Sequence, residues 1–314
     1  MDFLRLLEGM RTDWLDAIMS AVTYMGDEIF FMVAALTVYW CVSKRQGYYV
    51  FAVGLLGTIS NQFLKLWYRL PRPWVIDPDF TIVEAARGAA TGYSFPSGHT
   101  QSVVGTLGSI AVSSKQKWLR IICAVFIIVV PFSRMYLGVH TPLDVGVGFG
   151  SAALLVILMY PVFKDDTRSK KYAPVVLCVL LLSGIAYLLF VTLYQFPAEV
   201  YTDPDENLIH GTHNAYLLLG CSCGIIVAYI FDNKYLHFDT KASFMAQVLK
   251  VILGLGLIVA IKGVLKAPLS NLFNGSEVAT AVRYFIMVVF GGCIWPMTFP
   301  FFAKLGKKKN VERN

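Results

Sequence analysis

Apolar runs separated by short polar segments dominate the chain, at approximately 28–42, 48–70, 98–113, 118–137, 143–163, 173–196, 215–231, 248–265 and 278–303. A helix that crosses a bilayer needs about 20 mostly apolar residues. The pattern therefore predicts an all-α protein, a polytopic membrane bundle of about nine transmembrane helices, in which the first and third runs are the shortest. Ahead of them Phe3, Leu7, Met10, Trp14 and Ile18 recur every three or four positions, with Arg5, Glu8 and Arg11 beside them. That period predicts one amphipathic helix lying in the membrane interface within residues 1–26. No fixed repeat is visible, and no linker separates domains.

Composition strengthens this reading. Hydrophobic residues make up 56% of the 314, charged residues 15%, and mean hydropathy is +0.60, whereas a soluble domain carries roughly 25% charged residues. A soluble globule, a disordered chain and a disulfide scaffold are excluded. The formal charge of +7 takes its meaning from where the cations lie. With nine crossings, one side of the membrane collects Lys44 and Arg45, then Lys115, Lys117 and Arg120, then Lys164, Arg168, Lys170 and Lys171. Lys234, Lys241, Lys250 and the Lys-rich carboxyl terminus fall on the same side. The segment 197–214 on the other side has Glu199, Asp203, Asp205 and Glu206 and no Lys or Arg. The positive-inside rule then places the amino terminus outside and the carboxyl terminus in the cytoplasm. The excess charge marks cytoplasmic loops, with no nucleic-acid partner implied. Asp2, Glu8, Asp13 and Asp16 interrupt any apolar core of a cleaved signal peptide. The six cysteines all lie in apolar runs and read as small packing residues.

Three polar blocks interrupt this pattern. Lys65 and Arg72-Pro73 stand where the second run ends, and Pro71 and Pro73 stop its helix. Two cations there suit an anion, Lys as a point charge and Arg as a fork. Snorkelling anchors at a span end are the alternative. Tyr93-Ser94-Phe95-Pro96-Ser97-Gly98-His99 precedes the third run. Ser97-Gly98 at a helix start offers backbone N–H groups and the positive end of the dipole to an anion, with His99 placed to donate a proton. An ordinary N-cap beside an interfacial histidine reads equally well. Ser133-Arg134 and His140-Thr141-Pro142-Leu143-Asp144 join the fourth and fifth runs. Asp144, four residues after His140, can orient its imidazole and leave the other ring nitrogen as a nucleophile; alternatively it completes a capping box with Thr141. Three cations, two histidines and a carboxylate on one side of a membrane suit a transferring phosphoryl group.

Lys65-x6-Arg72-Pro73, Pro96-Ser97-Gly98-His99 and Ser133-Arg134-x5-His140-x3-Asp144 together resemble the three-part signature of the type 2 phosphatidic acid phosphatase family. That family includes lipid phosphate phosphatases, glucose-6-phosphatase and, more remotely, vanadium haloperoxidases. The resemblance covers roughly residues 20–165. It implies a six-helix catalytic core in which His140 forms a phosphohistidine and His99 protonates the departing group. It further implies that Lys65, Arg72, Arg134, Ser97 and Gly98 bind phosphate without a metal ion or other cofactor. The expected division is an interfacial helix over 1–26, the phosphatase core over 27–196, and further helices with a basic tail over 197–314.

The expected activity is hydrolysis of a lipid phosphate or diphosphate at the outer leaflet, for example phosphatidic acid, phosphatidylglycerol phosphate or undecaprenyl diphosphate. The expected partners are membrane lipids and the phosphorylated lipid itself. The expected location is a plasma or bacterial inner membrane with the site extracytoplasmic. A glucose-6-phosphatase-like hydrolase of a soluble sugar phosphate is the rival enzyme, and a lipid transporter on the same fold the non-enzyme rival. Other polar residues carry no role here. His210 and His213 read as part of a mobile outer loop, and Lys262 and Arg283 as snorkelling anchors. Asn274-Gly275-Ser276 is a sequon on the expected outer side, and the lysines at 307–309 suit anionic cytoplasmic lipid.

Overall fold

The computed structural model describes residues 1–196 and 204–305, which contain helices and no strand. In chain order the helices are α1 (Asp2–Glu8), α2 (Asp13–Thr23), α3 (Glu28–Thr37), α4 (Lys44–Tyr68), α5 (Pro73–Ile76), α6 (Gly98–Ser113), α7 (Lys117–Tyr136) and α8 (Pro142–Phe163). Then follow α9 (Asp166–Leu193), α10 (Pro204–Phe231), α11 (Phe244–Val264), α12 (Lys266–Leu272), α13 (Val278–Val289) and α14 (Phe299–Lys304). Six helical segments among the described residues are long and apolar enough to cross a membrane. A seventh arises if Asp13–Gly26 and Glu28–Val42, bent by 53° at their junction, form one broken crossing. The protein is thus an all-α, multi-pass integral membrane bundle. α4 carries Lys44, Arg45 and Lys65, and α6 has only 16 residues; both owe their place in the bundle to packing rather than to uninterrupted apolarity.

The contacts divide the chain into two units, residues 1–34 with 49–215, and residues 35–48 with 216–314. In the first unit α6 packs against both α7 and α8, around a core of Val103, Val104, Leu107, Cys123, Val130 and Ala152. Two glycines permit the close approaches that shape this unit. A side chain at Gly148 of α8 would stand 2.7 Å from the Ser97 carbonyl oxygen, and one at Gly26 would stand 2.7 Å from the His99 Cβ. Such distances are below van der Waals contact, so these positions admit no Cβ without movement.

Three expectations change. The single amino-terminal helix is two helices, broken over residues 9–12. Arg11 lies within the break, and its guanidinium ties that segment to the Tyr136 and Thr81 carbonyls at 3.1 and 2.9 Å. The apolar stripe divides with it, Leu7 being buried while Phe3, Met10, Trp14 and Ile18 are exposed. The presumed outer loop is helical from Pro204 onward, so His210 and His213 lie on α10. Proline at the first helical position, followed by acidic residues in sequence, is a helix-start signal that charge counting alone passed over. Glu199 and Asp203 of the acidic segment and the 307–309 lysines lie outside the described residues. Finally, cations of the second unit are not all at a surface. Arg283 is buried within α13, its guanidinium carbon 5.6 Å from the Tyr284 ring. Lys250 is buried with its ammonium donating to the Trp40 carbonyl at 2.9 Å and lying 4.2 Å from the Phe299 ring.

Candidate active site

In the first unit a cavity of about 400 Å³ opens between α4, α6 and the first turns of α10. Lys65, Arg72, Gly98, His99 and His140 line it. Ser97, Arg134 and Asp144 stand behind this lining, each almost wholly buried. The structure therefore gathers the eight residues singled out from sequence in one region, in two layers.

Arg72 is the centre of the first layer. Its side chain is fixed by backbone carbonyls: Nε donates to Gly92 (3.0 Å), Nη2 to Thr91 (2.7 Å) and Nη1 to Val139 (3.0 Å). Nη1 also lies 3.0 Å from His140 Nε2. A guanidinium only donates, so Nε2 accepts and carries a lone pair. In the neutral imidazole the ring proton is then on Nδ1, which faces Asp144 Oδ2 at 3.5 Å. Burial, followed by the charges of Arg72, Arg134 and Lys65, pushes the His140 proton affinity well below that of an ordinary histidine. The imidazole is accordingly neutral near pH 7. Burial brings the Arg72 guanidinium down to about 10, which leaves it charged. Lys65 completes the layer, its ammonium donating to the Tyr93 carbonyl.

Asp144 forms the capping box and also stands 3.5 Å from His140 Nδ1. Its Oδ2 accepts from the Thr141 N–H at 2.7 Å while the Thr141 hydroxyl accepts from the Asp144 N–H, a complete capping box with Pro142 at the helix start. The same oxygen accepts from the Ser94 hydroxyl at 2.6 Å. Ser97 is the N-cap of α6 through its side chain, and its own N–H is committed to the Asp144 carbonyl at 3.0 Å. It positions the turn, while the N–H groups of the first α6 residues have no intrahelical acceptor. Gly98 keeps space there: a Cβ would meet nothing nearer than Asn61 Oδ1 at 3.6 Å.

Two partners of this site carry no sequence motif. Asp27, between the Tyr24–Gly26 turn and α3, places Oδ1 2.7 Å from His99 Nε2 and lines the cavity. Thr23 accepts from Arg134 Nη1 at 2.8 Å. The remaining Arg134 nitrogens, Nε and Nη2, are buried without a hydrogen-bond partner. Buried guanidinium N–H groups left unpaired are costly, and this arrangement suits an anion that arrives with substrate. The only sequence signal for Asp27 is an acid just ahead of an apolar run, the ordinary mark of a helix start.

A fixed guanidinium, an ammonium, a second buried guanidinium, a helix start and a neutral histidine near a carboxylate make a set of groups that suits a phosphoryl group. Comparison with known families agrees. The PAP2 superfamily matches residues 45–168, and the transmembrane extension of PAP2 superfamily phosphatases matches residues 216–308. The chain belongs to the PAP2 superfamily. Among its relatives, phosphatidylglycerophosphatase B of Bacillus subtilis is 28% identical over 163 residues, 48% of this chain and 76% of that protein. Undecaprenyl-diphosphatase BcrC of the same organism is 28% identical over 134 residues, 43% of this chain and 65% of its own. Human sphingosine-1-phosphate phosphatase 2 is 22% identical over 235 residues, 73% of this chain. The match spans 54% of that human protein's length. No solved structure matches the chain.

Proposed function

We propose that this protein is a membrane phosphatase that hydrolyses a lipid phosphate or diphosphate through a phosphohistidine. The observation that carries the reading is the Arg72–His140–Asp144 alignment beside a cavity lined by cations; it keeps the lone pair on Nε2, held by Arg72 Nη1 until Nη1 turns to a phosphate oxygen and frees it for attack. His140 Nε2 attacks phosphorus, a P–N bond forms and the P–O bond to the lipid breaks. The departing oxygen takes a proton from His99. For this step His99 carries a proton on both ring nitrogens: the Nε2–H is held by Asp27, and the Nδ1–H is the one the oxygen takes. Water then attacks the phosphohistidine and gives its proton to His99, and inorganic phosphate and free His140 result. Lys65, Arg72, Arg134 and the α6 N–H groups stabilise the charge spread over the equatorial oxygens.

Three relatives bear the names of lipid phosphatases, for phosphatidylglycerophosphate, undecaprenyl diphosphate and sphingosine-1-phosphate, and these set the assay. Purified protein in micelles should release phosphate from at least one of the three. EDTA should leave the rate unchanged, and vanadate, a mimic of the trigonal-bipyramidal phosphoryl, should compete with substrate. Turnover of glucose 6-phosphate alone would favour the soluble-sugar reading, and no turnover of any phosphate ester would end the proposal.

The catalytic side is proposed to face away from the cytoplasm, with the carboxyl terminus on the cytoplasmic side of a plasma or bacterial inner membrane, because the Lys- and Arg-rich loops lie on the opposite side of the nine-crossing layout. The proposed division keeps 1–26 as the interfacial segment, 27–196 as the phosphatase core and 197–314 as added helices with the tail. Cysteines introduced by Asp79→Cys and Asp166→Cys in a background free of native cysteines test the orientation. An impermeant thiol reagent on intact cells should label the first and spare the second; the reverse pattern would invert the topology.

A further inference from the structure

The phosphoryl group needs only one end of the 400 Å³ cavity, where Lys65, Arg72, His99 and His140 meet. The rest is walled in part by apolar residues such as Ile29, Phe31 and Leu66, and in part by polar residues at helical spacing. On α4, Thr58, Asn61 and Gln62 precede Lys65 by seven, four and three positions and line the same cavity. On α10, Asn207, His210, Gly211 and Asn214 follow the same i, i+3, i+4, i+7 rule and also line it. The α10 wall is firmly placed. A Cβ at Gly211 would stand 2.7 Å from Leu66 Cδ1, so the glycine lets α10 lie against α4, and the Tyr187 hydroxyl donates to the Gly211 carbonyl at 3.2 Å.

Amide side chains that line a cavity inside a helical membrane bundle are costly where nothing satisfies them. Asn61 is partly satisfied by the Pro96 carbonyl at 3.3 Å. Gln101 of α6, which lines the cavity at 2% exposure, has a buried amide nitrogen with no partner. Charge narrows the occupant further. Lys65 and Arg72 are the Lys and Arg residues of the lining, both at the phosphoryl end, where Asp27 is engaged by His99. A second phosphate along the α4–α10 wall would therefore find no further Lys or Arg.

We propose that the α4–α10 wall is a subsite for the alcohol half of the substrate. It selects phosphate monoesters whose alcohol carries hydroxyl or amino groups within a few bonds of the ester oxygen, over diphosphates and plain alkyl phosphates. Hydroxyls give and accept hydrogen bonds as the amides require, and an amino group donates to the amide oxygens. The inference rests on the phosphatase reading above and adds the substrate class. A phosphorylated amino-alcohol lipid and a sugar phosphate both present this chemistry, so both enter the test.

The experiment compares kcat/KM of the full-length protein on octadecyl phosphate, an eighteen-carbon sphingoid-base phosphate, a polyprenyl diphosphate and glucose 6-phosphate. The sphingoid-base phosphate should exceed octadecyl phosphate by about 100-fold or more, since a site built to hydrogen-bond a group strongly rejects the analogue lacking it. That ratio should fall about tenfold in Asn214→Leu and again in Gln62→Leu, substitutions on two different helices. A lipid source is supported if glucose 6-phosphate is turned over poorly, and a soluble source if it matches the sphingoid-base phosphate. A wild-type ratio near one, preference for the diphosphate, or a ratio unmoved in both folded variants would overturn the subsite while leaving the phosphatase reading intact. Hydrolysis of none of the four would overturn that reading and this inference together. The wild-type ratio decides the matter even if both variants fail to fold.

Discussion

His140→Ala is expected to lower turnover by roughly 10⁴-fold or more, the scale on which loss of a nucleophile acts in a concerted site. The substitution deletes the lone pair that Arg72 Nη1 faces at 3.0 Å, and no other imidazole lies in its place: His99 is engaged by Asp27. It should not unfold the site, because Arg72 keeps its bonds to the Gly92, Thr91 and Val139 carbonyls. Vanadate should therefore still raise the thermal stability of the variant. The sign of the pH dependence follows from the same environment. Burial and the surrounding cations hold His140 neutral well below the usual histidine range, so its protonation should not slow the wild-type enzyme as pH falls through 6.5. Near-wild-type phosphate release by purified His140→Ala, or trapping of phosphate on another residue in acid-quenched wild type, would refute the assignment.

What the sequence revealed of this site depended on how local the cause was. The start of α6 was legible because Pro96, Ser97 and Gly98 are adjacent and their capping chemistry is local. His140 and Asp144 were legible as a pair because four residues is a short reach, but their division of labour was not. One carboxylate oxygen serves the Thr141 cap and Ser94 while standing 3.5 Å from Nδ1, and spacing alone cannot say that the cap and the imidazole share it. Asp27 was invisible for a different reason. It meets His99 only because Gly26 has no side chain to hold α6 away, and close packing between distant segments leaves no periodic trace.

The fold shows the same limit. Hydropathy located the long runs, but it treated every lysine and arginine as a surface marker. Lys250 and Arg283 escape that rule because a carbonyl and aromatic faces receive them inside the protein. The start of α10 escaped because Pro204–Phe231 opens on a polar stretch, and the polar face that made it resemble a loop is the one that lines the cavity.

Arg134→Met should separate function from stability with opposite signs. The guanidinium is fully buried at the end of α7, bonded by Nη1 to Thr23, with Nε and Nη2 unpartnered. It also lies close enough to Arg72 to repel it, with Asp27 giving partial compensation. Without substrate this is an incompletely satisfied buried charge, and replacing such groups with apolar side chains of similar length is often neutral or stabilising by about 1–4 kcal/mol. The variant should therefore melt at or above the wild-type temperature when no ligand is present. In the proposed reaction the same nitrogens meet the equatorial oxygens of the phosphoryl group, where one lost donor costs about 10²–10³-fold in rate. Turnover should fall by that factor, and the stabilisation by vanadate should shrink with it, since a ligand stabilises only in proportion to its affinity for the folded state. Arg134→Lys should not restore either property, because an ammonium lacks the planar fork. Melting curves with and without vanadate, set beside phosphate release, read all three effects. A Met variant that melts lower, keeps the vanadate shift and keeps its rate would make Arg134 a structural residue and remove it from the site.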